Sequence, residues 1–337
     1  MKKYTLLGGL IVSAGLVLGA SSAEALTISP PAREFTGDPG EVISAQLKLY
    51  NETEKDLSLK TFMMEFQAGE DESGDPELIE KDPQDDSPSA VDWITINKGP
   101  IQVNTHEWKV IPFTISIPQD AEPGGYYPVI FFNEEGKDGG NVSLTHGAGE
   151  LLLIRVSGEV QQEGDVKDFY VRNFEKDKKA FFRQMPAYFY TRIENKGNVH
   201  FKPEGTVKVR SMLGKETELE LVNTNSGGNV LPQSIRKYET LWGTEAAVKE
   251  LKEMGFFARA RYQMKNFHFG RYTAEVTAAL PLGEKEVARV SFWMIPLELL
   301  IIVVISLVIL GVVFRQYNKM ITKRAVKNSS KKSSKKK

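Results

Sequence analysis

The side chains best suited to chemistry are four histidines and one dense run of carboxylates. His106, His146, His200 and His268 are scattered, and none has another histidine three or four residues away. A helical zinc face needs that spacing, because residues i, i+3 and i+4 share one side of a helix. His146 sits in a glycine-rich stretch, Gly136 to Gly149, where it is either a carboxylate partner or an ordinary surface imidazole. Residues 70–86 hold nine acids and a single base, Lys81. Hard cations such as calcium take several oxygen ligands, so this run is read either as a calcium loop or as a solvated acidic loop. Its spacing is not that of an EF-hand. Carboxylate-pair catalysis needs one acid held in an apolar pocket, and the sequence shows no such setting. Neither a Gly-x-Ser-x-Gly elbow nor a phosphate-binding glycine loop occurs. Cysteine is absent, which excludes disulfides and thiolate-held metals. The sequence therefore predicts a protein that is not an enzyme and holds no metal or other cofactor.

Charge and hydropathy divide the rest of the chain. Leu297 to Phe314 reads LELLIIVVISLVILGVVF, interrupted only by Glu298, Ser306 and Gly311. As a helix it is about 27 Å long, close to the hydrocarbon thickness of a bilayer. Phe292, Trp293 and Tyr317 flank it as interfacial aromatics do. Residues 293–314 are predicted as a transmembrane helix. Ten Lys or Arg residues and no acid follow, so 315–337 is expected to be a basic cytoplasmic tail. At the other end Lys2, Lys3, the apolar Leu6 to Leu18 and Ala23-Glu24-Ala25 read as a signal peptide over residues 1–25, with an uncleaved anchor as the alternative. The expected localisation is the cytoplasmic membrane, single-pass, with the N-terminal ectodomain outside. Between the two apolar segments stand 42 acids and 31 bases, which argues against a nucleic acid partner.

Residues 26–162 read as a first domain of short strands. Leu26 to Phe35 carries Pro30 and Pro31, which suit an edge. Ile43 to Leu49 and Leu57 to Phe66 alternate at period two. Further strands are expected at Trp93 to Ile96, His106 to Ile117, Tyr126 to Phe132 and Leu151 to Val160. The phase of alternation shifts at Ile111-Pro112-Phe113, which predicts a bulge. Residues 163–292 read as a second domain, with strands that include Ala187 to Ile193, Ile235 to Trp242, Phe256 to Tyr262, Tyr272 to Ala279 and Glu286 to Phe292. One helix is predicted over Thr244 to Met254, with Thr244 as its cap and Gly255 as its stop. This density of strands and turns predicts an all-β chain of two antiparallel sandwiches.

Asp38-Pro39-Gly40 before an alternating strand, then Tyr50-Asn51-Glu52-Thr53-Glu54-Lys55-Asp56-Leu57, resembles the opening of the WxL-interacting proteins of Gram-positive bacteria. Val110-Ile111-Pro112-Phe113-Thr114-Ile115-Ser116-Ile117-Pro118 resembles that family's strand ending in Ile-Pro, and Gly124-Gly125 with a strand behind it also fits. The motif content is confined to residues 26–160. The resemblance implies two immunoglobulin-like domains, a C-terminal membrane anchor, and a first domain associated with peptidoglycan.

On this basis the expected function is a membrane-anchored extracytoplasmic binding protein that holds a cell-wall component or a partner surface protein. The alternative is a chaperone-like assembly accessory that presents a sheet edge to client strands. Tyr126, Tyr127, Asn133 and His146 are the candidate ligand-binding residues. The two tyrosines are adjacent in a predicted strand, so one ring is expected in the core and the other on the surface.

Overall fold

The computed structural model describes residues 26–79, 89–134, 147–177, 181–221, 228–283 and 285–333. The predicted signal peptide, His146 and residues 80–86 of the acidic run lie outside the described residues. The chain is mostly β. The first eleven strands are β1 (Leu26–Ser29), β2 (Ala32–Gly37), β3 (Val42–Asn51), β4 (Leu57–Ala68), β5 (Pro76–Ile79), β6 (Ile94–Ile96), β7 (Ile101–Val103), β8 (Trp108–Ser116), β9 (Gly124–Tyr126), β10 (Pro128–Glu134) and β11 (Ala148–Val156). They form two sheets, in the orders β1-β3-β8-β6 and β2-β11-β10-β4-β5, with β7 on β4 and β9 on β11.

Alternation builds the core between them. Leu47 and Leu49 of β3 and Ile111, Phe113 and Ile115 of β8 point inward from one sheet, and Ile130, Phe132, Leu152 and Ile154 meet them from the other. The expected bulge at Pro112 is absent, because β8 pairs with β3 without a register shift from Val42↔Ser116 to Tyr50↔Trp108. The proline has a different explanation. Ile117 N–H donates to Glu41 O at 2.9 Å, so odd-numbered residues of β8 serve the β3 ladder and Pro112 faces away from it. On that side β6 reaches only Phe113 to Ile115, and no ladder bond is lost at Pro112.

The second half repeats this order with β12 (Gly164–Asn173), β13 (Phe181–Phe182), β14 (Ala187–Asn195), β15 (Glu204–Ser211), β16 (Glu216–Glu220), β17 (Ser234–Trp242), β18 (Gly270–Ala279) and β19 (Lys285–Met294). Its sheets run β12-β14-β17 and β13-β19-β18-β15-β16. In each half the second strand lies parallel on the last one, β2 on β11 and β13 on β19. Each half also ends its third strand on a buried asparagine that ties down the following turn. Asn51 donates to Lys55 O at 2.7 Å and Val103 O at 3.1 Å, and Asn195 to Val199 O and Val230 O, both at 2.9 Å. The two halves are thus built on one plan, although their sequences show no convincing repeat.

Three α-helices stand among the described residues: α1 (Glu245–Glu253), α2 (Phe256–Lys265) and α3 (Leu297–Ser333). Thr244 caps α1 as expected, accepting from Ala247 N–H at 3.2 Å. The strand expected over Phe256 to Tyr262 is instead helix α2. Ala260 and Gln263, three residues apart, are its buried positions, and α2 packs against the start of α3. Helix α3 is long and apolar enough to cross a membrane, and only 6% of its apolar window is buried. A soluble core helix would bury that surface.

Candidate functional site

The sheet edge at β2 and the cleft beside it form the candidate site. In the β11 ladder, Leu151 N–H donates to Pro31 O and Ser157 N–H to Gly37 O, both at 3.0 Å. Odd-numbered residues of β2 therefore face β11, and Ala32, Glu34 and Thr36 turn their N–H and C=O groups outward. These three residues are exposed, and no strand among the described residues pairs with that side.

Ala32 also lines a cleft of about 290 Å3. Its floor is the outer face of the second sheet, with Phe66, Leu151 and Leu153, and its far wall comes from Leu231, Ile235 and Arg236 of the second half. Two clamps hold the walls together. The Arg192 guanidinium reaches both carboxylate oxygens of Glu72, at 2.7 and 2.5 Å, and holds that carboxyl below its ordinary range. Lys237 N–H donates to Glu72 O at 2.8 Å. In the described part of the acidic run Glu72 is thus a structural contact, while Glu70, Asp71, Asp75 and Glu77 are exposed as expected, the last of them in strand β5. No group of three or more His, Asp or Glu residues is placed to hold a metal ion among the described residues.

On the inner face of the same edge lies a buried ion pair. Glu150 of β11 is completely buried, with Oε1 2.6 Å from Arg33 Nη2. Arg33 also donates to Gln46 O at 2.9 Å and packs over the rings of Phe35 and Phe113. Burial outweighs the attraction of Arg33 and pushes the Glu150 carboxyl up to about 7. Sequence reasoning missed this pair. The signal was present: Glu150 shares the parity of Leu152, Ile154 and Val156, so an acid stands where the strand turns inward.

The three predicted ligand residues that are described do not come together as a surface. The Tyr126 ring packs on Trp93 with centroids 4.4 Å apart, and its hydroxyl donates to Glu122 O at 2.9 Å. Tyr127 lies between β9 and β10 and points to the other side, where the second half covers it. Its hydroxyl oxygen accepts from His200 N–H at 3.0 Å, and its ring meets Phe66 and His200 edge-on at 5.6 Å each. Burial raises the Tyr127 phenol and lowers the His200 imidazole. Asn133 is buried in β10 opposite Lys60. His146 lies outside the described residues. No outward stacking ring exists at Tyr126–Tyr127, since the second half closes over the face that one strand's alternation leaves open.

No family model and no curated protein matches this chain. Solved structures similar to it include a chaperone–tip adhesin complex of CFA/I fimbriae biogenesis, at 11% identity over 81% of this chain and 99% of that one, with a TM-score of 0.36. The CupB2 chaperone of Pseudomonas aeruginosa matches at 9% identity over 78% and 98%, with a TM-score of 0.31. The E. coli chaperone DraB matches at 11% over 80% and 97%, also at 0.31. The expected role as a holder of a cell-wall component or partner surface protein does not stand. Of the residues offered for that role, Tyr126 packs on Trp93, Tyr127 is closed over by His200, and Asn133 is buried.

Proposed function

We propose that this chain is a non-catalytic, membrane-tethered assembly accessory that offers the outer edge of β2 to an extended segment of an exported client protein. In this reading residues 26–162 and 163–292 are two immunoglobulin-like domains following a signal peptide. Helix α3 is a single membrane span, with the domains outside and the basic tail in the cytoplasm. That layout is the one implied by the resemblance to WxL-interacting proteins. The observation that carries the reading is the row of outward backbone groups at Ala32, Glu34 and Thr36 beside an apolar cleft. When a strand is added to an edge, backbone hydrogen bonds supply affinity and pockets for alternate side chains supply selectivity. The floor of Phe66, Leu151 and Leu153 suits an apolar client side chain. Tethering both partners at one membrane raises their effective concentration.

A photo-activated cross-linker at Thr36 in cells should join the protein to exported clients through one extended segment each. Glu34→Pro removes an outward N–H and the bond from Asn229 to the Glu34 carboxylate but no bond to β11, so it is compared with Glu34→Ala, which loses that side-chain bond alone. One backbone hydrogen bond contributes about 1 kcal/mol, so cross-linking should fall roughly fivefold from the alanine to the proline variant while the melting temperature holds. Equal yields from the two variants would overturn the reading.

A further inference from the structure

The end of the second half from which α3 leaves carries an apolar surface that edge presentation does not use. Met294, the last residue of β19, pairs with Gly270, the first of β18. Ser211, at the end of β15, pairs with Tyr272, and Met212 N–H donates to Arg271 O at 2.9 Å. The turn at Met212-Leu213 and the loop Phe267–Phe269 therefore lie at the same end of the sheet as the start of α3. Helix α2 is held there as well, because the Gln263 side chain accepts from Leu299 N–H at 2.9 Å. On these three segments Met212, Leu213, Phe257, Met264, Phe267 and Phe269 are between 48% and 86% exposed. Phe257 and Met264 are seven residues apart and share a face of α2. Large side chains left open in one region mark an interaction surface.

Along α2 and the loop that follows it the charges have one sign. From Gly255 to Ala274 the chain has Arg259, Arg261, Lys265 and Arg271 and no acid, although residues 26–292 as a whole are acidic. A cavity of about 520 Å3 at the base of α3 is lined by Arg183, Arg259 and Glu175 against Phe181, Phe182 and Leu297, with Arg183 paired to Glu298. Arg259 Nε is buried there without a hydrogen-bond partner. Aromatic and aliphatic residues interleaved with Arg and Lys are the composition of segments that lie in a membrane interface.

We propose that this end of the second half rests in the headgroup layer of an anionic bilayer, with the Met212-Leu213 turn, α2 and the Phe267–Phe269 loop immersed beside α3. The inference rests on the reading of α3 as a membrane span. Continuity with that span identifies the occupant. The first turn of α3 is bonded to α2, so the bilayer that receives α3 meets the surface next to it. Apolar side chains enter the boundary between headgroups and acyl chains, and the exposed Arg261, Lys265 and Arg271 take lipid phosphates. Docking at three points fixes the tilt of both halves, and with it the direction in which β2 faces.

The chain contains no cysteine, so single cysteines can report depth in the full-length protein. Fluorophores on Leu213→Cys, Phe257→Cys, Val308→Cys and Thr95→Cys would be read in vesicles of anionic lipid brominated either near the headgroup or at mid-chain. Leu213 and Phe257 labels should be quenched about twofold by the shallow bromines, Val308 by the deep ones, and Thr95 by neither. Quenching at Val308 without quenching at Leu213 and Phe257 would overturn the docking and leave the span intact. No quenching at Val308 would overturn the span and the docking with it. Replacing anionic by zwitterionic lipid should weaken quenching at Leu213 and Phe257; no change would overturn the charge component.

Discussion

Glu150→Gln is expected to make the protein more stable than the parent at pH 8 by about 3 kcal/mol, and equally stable near pH 4. The parent carboxyl titrates near its ordinary value when unfolded and at about 7 when folded. A raised folded-state value means that the folded protein binds the proton more tightly than the unfolded chain does. The stability from that proton is fully present below about pH 4.5 and is lost as pH rises through about 7. Glutamine keeps the shape of the neutral acid and cannot ionise, so the variant lacks this loss. Lowering of the His200 imidazole acts in the opposite direction, but it is common to both proteins and cancels in their difference. Urea denaturation of the two proteins from pH 4 to 8 measures it. A difference that stays flat would mean that Glu150 is ionised throughout and that Arg33 compensates its burial. Because the pair underlies the edge strand, the same experiment shows what holding β2 against β11 costs the fold.

Period-two alternation made most strands legible, and the Thr244 cap with Gly255 as stop made α1 legible. The long apolar run made the membrane-length helix legible. What escaped depends on contacts between distant segments. Ala258-Arg259-Ala260-Arg261-Tyr262 alternates as a strand would, and the segment is helical because Ala260 and Gln263 meet α3. Glu72 looked like its solvated neighbours because Arg192, its partner, lies more than a hundred residues away. One ring of the Tyr126–Tyr127 pair was expected on the surface because alternation within one strand contains no information about the half of the chain that covers it. Pro112 looked like a bulge because local sequence does not tell which side of a strand has a neighbour. The outward edge of β2 was legible as an edge from Pro30 and Pro31, but the cleft beside it was not, since its far wall comes from residues 231–236.

Gln263→Leu is expected to destabilise the second half by about 3 kcal/mol, because it strands polar groups in a buried site. Gln263 is almost fully buried. It donates to Glu298 Oε2 at 2.5 Å and to Gln184 Oε1 at 3.0 Å, and accepts from Leu299 N–H. Glu298, which interrupts the apolar run near its start, is a buried latch, with Arg183 3.2 Å away as its only charged partner among the described residues. Leucine fills the space of glutamine but leaves the Glu298 carboxylate one donor short and the Leu299 N–H without an acceptor. The double variant Gln263→Leu, Glu298→Leu replaces both polar side chains by apolar ones, so it should recover the part of the loss that comes from the carboxylate, about half. Unfolding of the full-length protein in detergent gives both values, and protease cleavage between Met294 and Leu300 gives a second readout of the latch. Cleavage should quicken in the single variant and slow again in the double one. A single variant as stable and as resistant as the parent would show that α2 and α3 are held together by apolar packing alone. In that case the fixed angle between span and domains, on which the orientation of the β2 edge depends, would have to come from the membrane-facing surface instead.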